Sequence, residues 1–137
     1  MRVRILPPAP LFLTSLGPLG WCMKSLDSAA TVQAKDTEIL HDLGRIIRRF
    51  LPGATIYLFG SAAKGIREPD SDIDVLIITN NRLSRQEDAA VADAIYELEL
   101  ARGVVISTLL YSKEKWDAPL TRATPFRARV EAEAVLV

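Results

Sequence analysis

The stretch LFGSAAKGIREPDSDIDVLIIT, residues 58–79, decides the fold. It holds the end of one apolar strand, a Gly-Ser pair, a polar connection, and a second apolar strand that opens Asp72-Ile73-Asp74. Side chains alternate along a strand, so Asp72 and Asp74 project from one face and Ile73 from the other. Two bare carboxylates so placed repel each other, and without a positive charge between them one pKa rises and the strand is weakened. Mg²⁺ answers this best, with Mn²⁺ as the alternative, because a hard cation takes one or two carboxylates and completes its shell with water and phosphate oxygens. Ahead of the pair, Gly60-Ser61 stands where a strand ends and a helical turn begins. Free N–H groups there face outward, Gly60 permits close approach to the backbone, and the Ser61 hydroxyl adds a donor, which together make a phosphate cradle.

Outward from this stretch the chain alternates helices and strands. Ile39, Leu43, Ile46, Ile47 and Phe50 share one helical face, and Pro52-Gly53 ends that helix. His41 falls off the stripe and reads as a solvated helix residue. Residues 54–59, ATIYLF, and 72–79, DIDVLIIT, read as strands. Ser84 with Glu87 predicts a capping box, and Val91, Ala94, Ile95 and Leu98 give the core face of a helix closed by Gly103. A third strand follows over residues 104–111, then a short helical turn near 112–116 and a terminal helix over about 125–134. The expected class is α/β, one small sheet of three main strands covered by helices.

Composition sets the limits. The 137 residues carry 17 basic and 17 acidic side chains, so no global field favours nucleic acid, and a nucleic acid is not expected as a stable partner. One cysteine and one histidine exclude an internal disulfide and most zinc sites, which suits a cytoplasmic setting. Residues 1–22 hold four of the eight prolines and no acid. Two arginines before an apolar run resemble a secretory signal, but the run is short and Trp21 stands where a cleavage site wants small residues. The expectation is a disordered extension over 1–22, a folded domain over 23–137, and no membrane span.

Ten residues separate Gly60-Ser61 from Asp72-Ile73-Asp74, and this GSx10DxD pattern resembles the signature of the nucleotidyltransferase superfamily that includes DNA polymerase beta and the kanamycin nucleotidyltransferases. The chain is most similar to the minimal, single-domain (MNT) members. The resemblance implies a polymerase beta-like fold and Mg²⁺-dependent transfer of a nucleoside monophosphate from an NTP, ATP by preference, to a hydroxyl. Gly60 and Ser61 would bind the triphosphate, Gly65 would permit the turn after the short helix, and Asp72 and Asp74 would hold metal. Lys64 and Arg67 match no fixed position; both are near enough to help neutralise phosphate, and both read first as surface charge. Pro69 and Asp70 read as the turn before the strand.

One departure matters. Catalytic members carry a third carboxylate on the neighbouring strand, where this chain reads Ile106-Ser107-Thr108. Glu97 and Glu99 stand near the end of the preceding helix and could reach in, although solvation on the helix surface is their simpler reading. Three functions therefore compete: an enzyme, a nucleotide-binding regulator acting by contact, and a fold that retains neither property. Minimal members are often encoded beside a helical HEPN toxin, which implies such a protein as the partner, and a small domain suits an acceptor that brings its own surface.

Overall fold

The computed structural model describes residues 15–16 and 22–137, with side chains from Lys24 onward. The first described strands are β1 (Ser15–Leu16) and β2 (Cys22–Ser25), followed by a 3-10 turn at Leu26–Ser28 and helix α1 (Ala34–Phe50). The end of strand β3 (Thr55–Phe59), helix α2 (Gly60–Lys64) and strand β4 (Ile73–Thr79) occupy the stretch 58–79. Helix α3 (Arg85–Arg102), strand β5 (Ile106–Ser112), helices α4 (Lys113–Asp117), α5 (Pro119–Arg122) and α6 (Pro125–Glu133), and strand β6 (Val135–Leu136) complete the chain.

One mixed sheet runs β1-β2-β6-β3-β4-β5. β3 is antiparallel to both β4 and β6, whereas β4 and β5 are parallel and joined through α3. The three strands legible in sequence are β3, β4 and β5. β1 and β6, at two residues each, are too short to show an alternation, and β2 borrows its place from parallel pairing with β6. Of the extension expected over residues 1–22, 1–14 and 17–21 lie outside the described residues, while Ser15 and Leu16 pair with Met23 and Cys22.

Alternation sorts the strand residues onto two faces. Ile56, Leu58, Ile73, Val75, Ile77 and Ile106 pack with Ile39, Leu40, Leu43 and Ile47 of α1 and with Val91, Ile95 and Leu98 of α3. Tyr57, Phe59, Leu76 and Ile78 point the other way, onto Trp116, Val130 and Ala134, with Phe126 edge-on to both Phe59 and Trp116.

The helix ends follow their chemistry. Ser84 accepts from the Glu87 N–H at 3.2 Å, and the Glu87 carboxylate accepts from the Ser84 N–H at 2.8 Å, so the predicted capping box is present. Ser112 and Thr124 cap α4 and α6 through their hydroxyls. The stripe on α1 differs at its end: Phe50 is 45% exposed, because Leu51, just past the helix, is buried and fills that end of the core. His41 is half exposed, with Nε2 3.1 Å from Asp27.

Candidate active site

The turn from β3 into α2 places the site. Gly60 has φ +73°, a left-handed value that L side chains rarely adopt, so the chain can swing from an extended Phe59 directly into a helical turn. A Cβ at Gly60 would also overlap the Asp74 Oδ2 atom. The strand register explains the proximity: Phe59 pairs with Asp74 across the antiparallel β3–β4 ladder, so the residue after Phe59 turns beside the Asp74 side chain. Gly60 thus serves a close approach, as its residue type suggested, and the group that approaches it is the Asp74 carboxylate.

The remaining sequence-predicted residues fall around this point. Ser61 lies in the first turn of α2, partly buried, with its hydroxyl in no hydrogen bond among the described residues. Gly65 closes α2 at φ +74°, and a Cβ there would strike the Thr31 carbonyl oxygen, so both backbone angle and space demand glycine. Lys64 reaches across to α6, where its ammonium lies 3.2 Å from Glu133 Oε1. Asp72 is exposed just before β4, and Asp74 is partly buried one residue inside it.

The electrostatics of the pair follow from this placement. Burial pushes the Asp74 carboxyl above the ordinary carboxylate range, and the neighbouring Asp72 charge pushes it the same way. A divalent cation held between the two would relieve both causes, and a set of two carboxylates with open sides fits Mg²⁺ or Mn²⁺, which retain water and phosphate oxygens. Among the described residues, no group of three or more His, Cys, Asp or Glu side chains gathers to hold a metal. Among the described residues, then, no third acid joins Asp72 and Asp74 in space. In the parallel β4–β5 ladder Asp74 pairs with Ser107, so Ser107 shares its face, whereas Thr108 pairs with Val75 on the other. Glu99 does not reach the site: its Oε1 accepts the Ile106 N–H at 2.7 Å and so caps the start of β5. Glu97 is exposed on α3.

Arg67 corrects the sequence reading. Expected as a surface charge, it is 4% exposed and forms a two-pronged ion pair with Asp36, which is itself fully buried on α1. Asp36 stands three residues before Ile39, on the apolar stripe of α1, and a carboxylate on a buried stripe was the available sign that an arginine would meet it. Pro69 and Asp70 do form the turn, closed by the Ser71 N–H to the Glu68 carbonyl at 3.0 Å.

A separate open cleft of about 660 Å³ lies between the start of α3, the end of β5 and α4, lined by residues including Arg82, Arg85, Ser112 and Lys115. It sits at the C-terminal ends of β4 and β5, the opposite ends from Asp72 and Asp74. No helix among the described residues is long and apolar enough to cross a membrane.

Two solved structures resemble the chain at a distance. One is a mutant of the toxin-antitoxin MntA-HpeT, 20% identical, covering 72% of this chain and 70% of its own, with a TM-score of 0.48. The other is a toxin-antitoxin structure with AMP-PNP, 21% identical over 70% of this chain and 69% of its own, with a TM-score of 0.47. No curated protein sequence matches. The model of the nucleotidyltransferase domain family matches residues 41–135, well over half of the chain and the whole of the segment from α2 to β5. The Gly-Ser turn set against an aspartate pair thus sits inside a domain that belongs to the nucleotidyltransferase family.

Proposed function

We propose that this domain transfers a nucleoside monophosphate from an NTP, ATP by preference, to a hydroxyl on a partner protein, and that Asp72 and Asp74 are its catalytic and metal-holding residues. The observation that carries the reading is the packing of the Asp74 carboxylate directly against Gly60, which joins the carboxylate pair to the proposed phosphate cradle in one place. Asp72 and Asp74 would hold Mg²⁺ or Mn²⁺, which when bound screens the phosphate oxygens and stabilises charge on the transferring phosphorus. The Ser61 hydroxyl and the N–H groups at the start of α2 would hold the departing phosphates, and Gly65 ends α2 so that the loop can return to β4. Lys64, paired with Glu133, stands at the end of the same short helix and would add positive charge to that side. The acceptor oxygen bonds to the α-phosphorus and gives up its proton to solvent as the bond to the pyrophosphate oxygen breaks, and most of the acceleration comes from holding these groups in line.

The partner we propose is a helical HEPN-type toxin, for which this chain would act as the antitoxin. The MNT-like spacing of the motif supports it, and a lone cysteine suits the cytosol where such a pair would meet. A second reading has its own observation: Ser107, not an acid, stands beside Asp74. A hydroxyl is a weak ligand for a hard cation, so a regulator that binds nucleotide and acts by contact is the rival. The deciding experiment incubates the protein with labelled NTPs, Mg²⁺ and the product of the adjacent gene. Label on the partner, lost in Asp72→Asn, supports transfer. Full neutralisation of the partner by the Asp72→Asn and Asp74→Asn proteins would replace transfer with contact.

A further inference from the structure

The loop that delivers Asp72 to the site is tied to the first helix by one buried side chain. Arg67 donates from Nε to Asp36 Oδ2 at 2.9 Å and from Nη2 to Asp36 Oδ1 at 2.6 Å. Its other nitrogen, Nη1, donates to the backbone carbonyls of Glu68 at 3.2 Å, Pro69 at 3.4 Å and Ser71 at 2.8 Å. The flat, five-donor guanidinium can serve both sides at once, which a lysine ammonium on a flexible stem cannot. From the residue before α1, Gln33 Nε2 donates to the carbonyls of Gly65 at 3.2 Å and Arg67 at 3.1 Å, so the segment is held before and after its bend.

The location of these bonds gives them a function. Ser71 is the residue immediately before Asp72, and Ile73 starts β4 with its N–H on the Val105 carbonyl at 2.9 Å. Asp72 therefore hangs between a strand that is fixed by the sheet and a loop whose carbonyls converge on Arg67. A buried ion pair by itself adds little net stability, because desolvation offsets attraction. Here the pair leaves one side of the arginine free to gather three carbonyls that no other described side chain serves.

We infer that Arg67 is a positioning residue for the carboxylate pair: anchored on Asp36, it fixes the 68–71 loop and with it the place of Asp72 relative to Asp74 and Gly60. This rests on the reading of Asp72 and Asp74 as the metal site. Supporting groups behind metal ligands typically change affinity by about 10- to 100-fold when removed.

The test replaces the pair by apolar residues of similar size, Asp36→Leu with Arg67→Met, a change that commonly leaves a fold as stable as before. Mn²⁺ binding to the full chain is followed by electron paramagnetic resonance, and amide exchange is followed at Ser71 and Ile73. The expected result is an intact fold, Mn²⁺ affinity reduced by about 10-fold or more, and faster exchange confined to the loop. If the double variant does not fold, Arg67→Lys, which keeps the charge opposite Asp36 and loses the fork, is read by the same two measurements. A folded variant that binds Mn²⁺ as tightly as the wild type overturns the proposal. A wild-type protein that binds no Mn²⁺ overturns the metal-site reading itself, and faster exchange in the variant would then leave Arg67 a structural residue only.

Discussion

The two faces of the sheet are built from the same strands and serve different ends. Under α1 and α3 the strands present a mainly apolar surface, Ile56, Leu58, Ile73, Val75, Ile77 and Ile106, with Thr108 exposed on the same face of β5. On the opposite face Tyr57, Phe59, Leu76 and Ile78 pack with Trp116 of α4 and with Phe126 and Val130 of α6, while Asp74 is only partly buried and Ser107 and Leu109 are exposed. One face supplies stability, and its strands bring no carboxylate to it. The other trades part of its burial for two carboxylates, and the raised Asp74 carboxyl is the mark of that trade. Substitutions on the two faces should therefore separate stability from chemistry.

The largest effect is expected from the carboxylates. If Asp72 and Asp74 hold the metal as proposed, Asp72→Asn and Asp74→Asn should each reduce transfer to background, since the loss of a metal ligand removes several kcal/mol of charge stabilisation, while circular dichroism shows an unchanged fold. The metal-free stability of Asp74→Asn sharpens this. A carboxyl whose native pKa lies above its ordinary value of 3.8 binds an extra proton in the folded state, so stability falls as pH rises through the interval between the two values and stays lower above it. Without metal, Asp74→Asn should melt above the wild type at neutral pH, with the difference vanishing as pH falls below that interval. Added Mg²⁺ should raise the melting temperature of the wild type and leave that of the variant unmoved.

Next in size is the opposite face. Leu58 is fully buried beneath the helices, and Leu58→Ala should cost about 2–5 kcal/mol of unfolding free energy in urea titrations. Mn²⁺ affinity of the folded fraction should stay at the wild-type value. An equal loss of affinity would mean that the two faces are not separable.

The smallest effect tests the missing acid. Ser107→Asp puts a carboxylate beside Asp74, on its face, and should raise transfer several-fold, read as turnover at saturating NTP. Thr108→Asp places the same group on the opposite face of the sheet, at an exposed position, and should leave turnover unchanged. A gain from Thr108→Asp alone would show that the register does not govern access to the metal.

Much of this protein was legible in its sequence because the signals are local. Apolar runs rich in β-branched and aromatic residues pointed to the three main strands, Ser84 with Glu87 fixed the start of α3, and Gly60-Ser61 with Asp72 and Asp74 marked the candidate site, since spacing along one strand determines which side chains share a face. What remained hidden depends on partners distant in the chain. Arg67 looks like a surface charge until α1 brings Asp36 against it, and 31 residues separate the two. Strand β6 is two residues long and exists because β3 offers it an antiparallel edge, and β2 because β6 then offers a parallel one. That Ser107, and not Thr108, stands beside Asp74 is likewise set by the register of β5 on β4, which the α3 crossover and the sheet fix together. Local composition chooses the elements and the chemistry they carry; only packing decides which charges are buried and which residues meet.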